Sequence, residues 1–278
     1  MLPNYKDNQV CTKSPGNMVR MPSIFVGHGS PMNAIAENSL TKEWLALANK
    51  LPRPKAILAI SAHWYINGLQ ITSNLSPETI HDFSGFPRPL YEQEYPAPGS
   101  PDLVKRVQSL VPGVAPSDRW GLDHGSWSVL KHMYPDADIP VVQLSIDKTR
   151  PDAFHYELGR QLAPLRDEGV LIFCSGNIVH NFAELDWESK LSPTPSAAWA
   201  QDFVSFVKEN LAFTGDSSSH PIVNWRQHPL GPRANPSPDH MLPLLYAMGS
   251  YNGSEPVSTH TDFWELGTLA MLSVVYGQ

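Results

Sequence analysis

The sequence predicts an α/β fold, a single domain with a mixed central β-sheet flanked by helices. Three observations carry this prediction. Continuous apolar runs such as Ala56-Ile57-Leu58-Ala59-Ile60 recur along the chain, as expected of strands buried on both faces. Segments with a helix-like apolar face stand between those runs, the alternation that builds parallel sheets. Proline and glycine concentrate in the connections, as in Tyr95-Pro96-Ala97-Pro98-Gly99.

Element by element, the first strand is expected at Pro22-Ser23-Ile24-Phe25-Val26, broken by Gly27. A helix over 40–51 follows, with Trp44, Leu45, Leu47 and Ala48 on one side. Further buried strands are predicted at 56–62, 139–146 and 169–174. Helices are predicted at 101–110, 126–133, 152–165, 195–211 and 238–248. The end of the chain, 257–263 and then 266–276, reads as strands closing the sheet. Residues 1–20 are polar and unpatterned and precede a second methionine, Met21. They are expected to form a flexible N-terminal extension to a catalytic domain over 21–278.

Bulk composition narrows the function. Of 278 residues, 41% are hydrophobic and 17% charged, a globular rather than disordered balance. The formal net charge of -7 argues against nucleic acid or an anionic membrane as a partner. No apolar stretch reaches the length of a membrane span, and no signal-peptide core precedes the first strand. Cys11 and Cys174 are the two cysteines; they make no disulfide framework, and a cytoplasmic location is expected. The 27 prolines, about twice the usual ~5% share, imply long stiffened loops.

The chemistry is carried by histidine. His28 follows the first strand in Gly27-His28-Gly29-Ser30-Pro31, and His63 follows the second in Ser61-Ala62-His63-Trp64. His180 comes soon after the strand that ends near Cys174, in Gly176-Asn177-Ile178-Val179-His180-Asn181. The carboxyl ends of the strands are where open α/β sheets hold their ligands. His240 stands at the start of the helix expected over 238–248. A lone histidine after a strand is more often a hydrogen-bonded loop residue than a ligand. Three in one chain, with neutral imidazole a common ligand for zinc and iron, make a site for one divalent metal the better reading. Spacing leaves metal hydrolase and metal oxygenase open, because no short signature such as His-Glu-x-x-His is present.

Several of these segments resemble one family in order and spacing. They are Gly27-His28-Gly29-Ser30-Pro31, Ile60-Ser61-Ala62-His63-Trp64, Asp82-Phe83-Ser84-Gly85-Phe86-Pro87, Tyr95-Pro96-Ala97-Pro98-Gly99, Gly121-Leu122-Asp123-His124-Gly125-Ser126-Trp127, Gly176-Asn177-Ile178-Val179-His180-Asn181 and Asp239-His240. Together they resemble the DOPA-type branch of the class III extradiol ring-cleaving dioxygenases, across residues 21–278. The resemblance implies a catechol substrate opened with O2. It implies His28, His63 and His240 as metal ligands, and His180 as the acid/base with a possible role as fourth ligand. His124 would hydrogen-bond a substrate hydroxyl or the bound oxygen, and Trp64 would wall the substrate pocket. Better-studied relatives hold ferrous iron with two histidines and a glutamate. Here the third position is His240, so Zn(II) suits the set as well as the Fe(II) that oxygen chemistry requires. The competing readings are a zinc-dependent hydrolase on the same histidines and a non-enzymatic binding relative.

Less central residues are read as follows. Tyr65 and His81 are candidates for the cleft wall. His132, His155, His220 and His260 are expected on the surface or on helix faces, and His228 in a loop. Arg88, Arg119 and Arg233 are candidates, by charge alone, to hold a substrate carboxylate.

Overall fold

The parallel core of the sheet comes from the apolar runs. The computed structural model describes residues 20–188, 194–261 and 263–278. The strands are β1 (Ser23–Gly27), β2 (Ala56–Ile66), β3 (Gln70–Thr72), β4 (Ala115–Ser117), β5 (Val141–Asp147), β6 (Val170–Gly176), β7 (Val257–His260), β8 (Trp264–Glu265), β9 (Leu269–Ala270) and β10 (Ser273–Tyr276). Eight of them form one sheet in the order β4-β3-β5-β2-β6-β1-β10-β7, while β8 and β9 pair apart. The four strands β5, β2, β6 and β1 are parallel. β3 joins β5 antiparallel, and β10 and β7 close the other edge antiparallel. The sheet is mixed, as predicted.

Alternate residues of the core strands feed two cores. Leu58, Ile60, Ile172, Cys174 and Phe25 pack on one face, and Ile57, Ala59, Leu171, Phe173 and Ile24 on the other. The helices are α1 (Ser39–Lys50), α2 (Arg88–Tyr91), α3 (Pro101–Leu110), α4 (His124–Met133), α5 (Asp152–Leu162), α6 (Pro164–Asp167), α7 (Ala198–Asn210), α8 (Gly231–Ala234) and α9 (Leu242–Gly249). α1 and α4 cover the second face, with Trp44 and Trp127 fully buried; α3, α5, α7 and α9 cover the first. Each buried aliphatic side chain contributes roughly 1.5–3 kcal/mol of transfer free energy, so the two cores fix which strand ends lie side by side.

Several expectations needed correction. β2 runs to Ile66, so His63 lies within the strand rather than after it. Pairing with β5 is irregular between Ile60 and Tyr65, the kind of bulge that re-aims a side chain beside a site. The helix expected over 152–165 divides at Pro164, whose ring cannot continue α5. The helix expected from 238 begins at Leu242, because Pro243 is tolerated only in a first turn. His240 therefore sits in the turn before α9. The closing strands are shorter than expected, since positive φ at Thr261, Leu266 and Gly267 breaks the run. The short β3 and β4 carry no periodic signal and were missed. The expected extension 1–20 lies outside the described residues except for Arg20, which pairs with Glu255 and Asp167.

Of the histidines expected on the surface or on helix faces, His155 lies on α5 but on its buried face, and His220 in a loop is buried too, at 0% and 1% exposure. His155 Nδ1 lies 2.9 Å from the Tyr246 hydroxyl, and burial lowers its pKa to about 4. Its pKa in the folded chain is depressed, so the unfolded chain takes the proton first as pH falls. The associated stability is complete above the ordinary value of 6.5 and is lost toward about 4. Going from neutral pH to about 4.5, the wild type should lose up to about 3 kcal/mol more stability than His155→Gln, measured by chemical denaturation. Parallel pH profiles for the two proteins would refute this.

Candidate metal centre

β2, β6 and β1 are neighbours, so their carboxyl ends bring the histidines together. Gly27 of β1 pairs with Gly176 of β6, and Ser61 of β2 with Ser175. His28 leaves the end of β1, its backbone N–H donating to the Gly176 carbonyl at 3.2 Å. His240 arrives from a distant loop and is clamped onto β6, the Asn177 N–H donating to its carbonyl at 3.0 Å. A Cβ at position 176 would stand 2.1 Å from that carbonyl oxygen, so only glycine admits the approach. Gly125 has a similar task, since a Cβ there would meet Ser61 Oγ at 2.4 Å and His63 Cδ2 at 2.9 Å. Asp123 caps α4 by accepting from the Ser126 N–H at 3.2 Å, which sets His124 at the helix start.

Partners assign the ring protons. His28 Nδ1 lies 2.9 Å from Ser175 Oγ, whose own hydroxyl donates to the Gly125 carbonyl. Ser175 must therefore accept from His28 Nδ1–H, which leaves Nε2 with a free lone pair. His63 Nδ1 faces Asp82 Oδ2 at 3.5 Å. The two Nε2 atoms face each other at 3.0 Å. With both rings protonated on Nδ1, both lone pairs would be offered to one cation between them. Two nitrogens on one ion at the usual ~2.0–2.1 Å stand roughly 3.0–3.4 Å apart, so the pair fits a metal.

The other three histidines surround this pair. Ligand nitrogens of His28, His63 and His124 all lie within 4.8 Å of one another. The ring of His240 is centred 5.2 Å from His28 and 5.1 Å from His63, and its Nδ1 lies 2.5 Å from Asp239 Oδ2. His180 stacks on His240, with centroids 3.5 Å apart and planes at 4°. His124 Nδ1 lies 3.0 Å from Asp82 Oδ1, which also accepts the His124 backbone N–H at 2.9 Å. The tightest trio therefore contains His124 where the sequence reading put His240, and His240 pairs with His180.

Electrostatics keeps His28, His63 and His180 neutral. Burial, reinforced by mutual repulsion, lowers His28 and His63 well below the ordinary value. Burial and the charge of His240 take His180 down to about 2. Burial pushes Asp82 and Asp239 upward, yet the bonds and charges of His124 and His240 outweigh it, and both carboxyls end below their usual range. Asp123, fully buried and close to Asp82, is pushed up to about 6. Neutral rings such as His28 and His63 are what a divalent ion requires of its ligands, and carboxylates behind imidazoles orient them for that task.

All five histidines open onto one cavity of about 350 Å³, a volume typical of small-molecule sites. Its other walls include Phe83, Phe86, Phe182, Trp187, Leu266 and Leu269. Trp64 is not among the lining residues; it is buried and stacks on Trp120 at 5.5 Å. Tyr65 and His81 do not line it either. His81 bonds the Gln93 carbonyl at 3.0 Å, and His228 stacks on Phe206 at 4.3 Å. Arg88, Arg119 and Arg233 stay outside, with Arg88 on Glu92 and Arg233 on Glu184. A second hollow of about 420 Å³, by Arg150 and Arg226, holds no histidine. Sequence reasoning missed the role of Asp82, although its motif was recognised, and missed Ser175 and the aromatic walls. Only the position of Phe182, two residues after His180, hinted at the latter.

The comparisons with known proteins agree with this geometry. Residues 21–275 match the family described as the catalytic LigB subunit of aromatic ring-opening dioxygenase. The 4,5-DOPA dioxygenase extradiol of Escherichia coli (strain K12) is 50% identical over 261 residues, covering 93% of this chain and 95% of its own length. Its namesake from Beta vulgaris is 38% identical over 89% of this chain and 93% of its own. A crystal structure of an uncharacterized protein from Escherichia coli K12 superposes with a TM-score of 0.81 at 45% identity, covering 93% of this chain and all 100% of that one. The chain belongs to the family of the catalytic LigB subunit of aromatic ring-opening dioxygenases.

Proposed function

We propose that this chain opens the ring of a catechol beside its two hydroxyls, using O2; the reaction in the relatives' names is the 4,5-cleavage of DOPA. One observation carries the reading. Two buried imidazole Nε2 atoms meet 3.0 Å apart at one wall of a cavity sized for a single aromatic molecule. His28 and His63 would hold one divalent ion with His240 as the third ligand. His240 has the support a ligand needs, because Asp239 fixes its Nδ1 and leaves Nε2 free. The carboxylate that a facial triad would supply directly is then supplied one bond further out, by Asp82 behind His63 and Asp239 behind His240.

A ferrous ion there would supply open positions for both catechol oxygens and O2 together with redox chemistry, which zinc lacks. His180, facing the cavity, takes the proton of a catechol hydroxyl and returns it as the ring opens; the negative charge of the catecholate beside it offsets the burial that otherwise lowers its pKa. His124, steadied by Asp82, donates to a substrate oxygen. Phe83 and Phe86 exclude water from the ring. Among the described residues no helix is long and apolar enough to cross a membrane. With Cys174 a buried free thiol, we place the protein in the cytoplasm.

The direct test is anaerobic loading with Fe(II) followed by a catechol and oxygen. A yellow ring-opened product should form, and none from the Zn(II) form; colourless, oxygen-independent turnover would support the hydrolase instead. His240→Ala should weaken metal binding at least ~10-fold by competition with a chelating dye, while His124→Ala keeps the metal. The reverse order would make His124 the third ligand. His180→Ala should retain the metal and lose at least ~10²-fold in turnover; loss of the metal with the activity would make His180 a ligand.

A further inference from the structure

His63 and His240 each face a carboxylate, Asp82 and Asp239, whereas the ring of His28 is backed by the hydroxyl of Ser175. A third carboxylate reaches His28 through its backbone. Glu265, on β8, accepts from the Asn33 side-chain amide through Oε1 at 2.9 Å and from the Ser30 N–H through Oε2 at 3.2 Å. The same Asn33 nitrogen donates to the His28 carbonyl at 3.2 Å. Asn33 thus divides its two amide hydrogens between Glu265 and His28. Its Oδ1 accepts from the Asn38 amide at 3.4 Å, and the side chain is buried at 3% exposure, so its orientation is set.

Two features single out Glu265. Both of its oxygens accept from one turn, a task that an amide, with a single acceptor oxygen, cannot perform. Among the described residues no lysine, arginine or histidine pairs with it, so a half-buried negative charge rests on neutral donors, which is costly. The contact also joins two walls of the histidine cavity. Gly29, Ser30 and Pro31 line it from the turn, and Leu266 and Leu269 from the β8–β9 hairpin. Leu266, next to Glu265, takes φ +48°, and strained backbone of that kind persists only where its surroundings hold it.

We propose that Glu265 is a positioning residue for the metal centre: through Ser30 and Asn33 it holds the turn that carries His28, and so sets the His28 ring against His63. The assignment rests on the reading that these histidines hold a divalent ion. It adds a third carboxylate to those facing His63 and His240, one that acts on the backbone of a ligand rather than on its ring.

The test compares metal binding by the full-length protein with that of Glu265→Gln, Asn33→Ala, the double variant and Ser100→Ala. Zn(II) affinity is read by competition with a chelating dye, and coordination geometry by the visible absorption of bound Co(II). Glu265→Gln should weaken Zn(II) binding at least ~10-fold and shift the Co(II) bands. Asn33→Ala should do the same. The double variant should bind within about twofold of the weaker single one, because both changes break one linkage. Ser100→Ala removes the cap of α3 and lowers stability without touching this turn, so it should keep the original affinity and spectrum. Glu265→Gln binding within about twofold of the unchanged chain with the same Co(II) spectrum, losses that multiply in the double variant, or an equal loss in Ser100→Ala would each overturn the assignment and leave the metal reading intact. Uptake of neither ion by the unchanged chain would refute the metal reading, and this assignment with it.

Discussion

The site depends on two buried imidazoles whose Nε2 atoms lie 3.0 Å apart. That approach is held because each ring is supported from behind. Ser175 holds His28 and Asp82 faces His63, while burial keeps both rings neutral. Burying polar rings together is costly, so the folding energy of the two cores must offset it.

The fold supplies that support by adjacency. β2, β6 and β1 lie side by side, so residues far apart in sequence leave the sheet at one edge. Gly176 and Gly125 remove the Cβ atoms that would keep His240 and α4 away. The carboxylates then complete a charge balance. An all-histidine ligand set would be short of negative charge for a divalent ion, and Asp82 and Asp239 would provide it through the rings they face.

Much of this was legible in the sequence, for identifiable reasons. The core strands announced themselves because burial on both faces demands unbroken apolar runs, as at Ala56-Ile57-Leu58-Ala59-Ile60. His28 and His180 were found because strand ends are where ligands bind; His63 was found for nearly the same reason, although a bulge rather than a strand end aims it. Strand order and the pairing of Asp82 with two histidines were not legible, since contacts between distant loops leave no periodicity. His155 and His220 misled because a histidine on a helix or in a loop does not declare which side it faces. Trp64 misled because adjacency to His63 in sequence does not carry it into the cavity; it stacks on Trp120. The division of labour among the histidines came from the family resemblance, and the tight grouping of His124 with His28 and His63 is the point at which geometry presses hardest on it.

Insertion of dioxygen into a catechol ring at this histidine centre is read out by turnover of the Fe(II)-loaded protein under ¹⁸O2, with the product analysed at once by mass spectrometry. Both labelled oxygen atoms should appear in one ring-opened product. Label entering only from H2¹⁸O, with none from the gas, would instead place water rather than dioxygen at the histidine centre and refute the dioxygenase function.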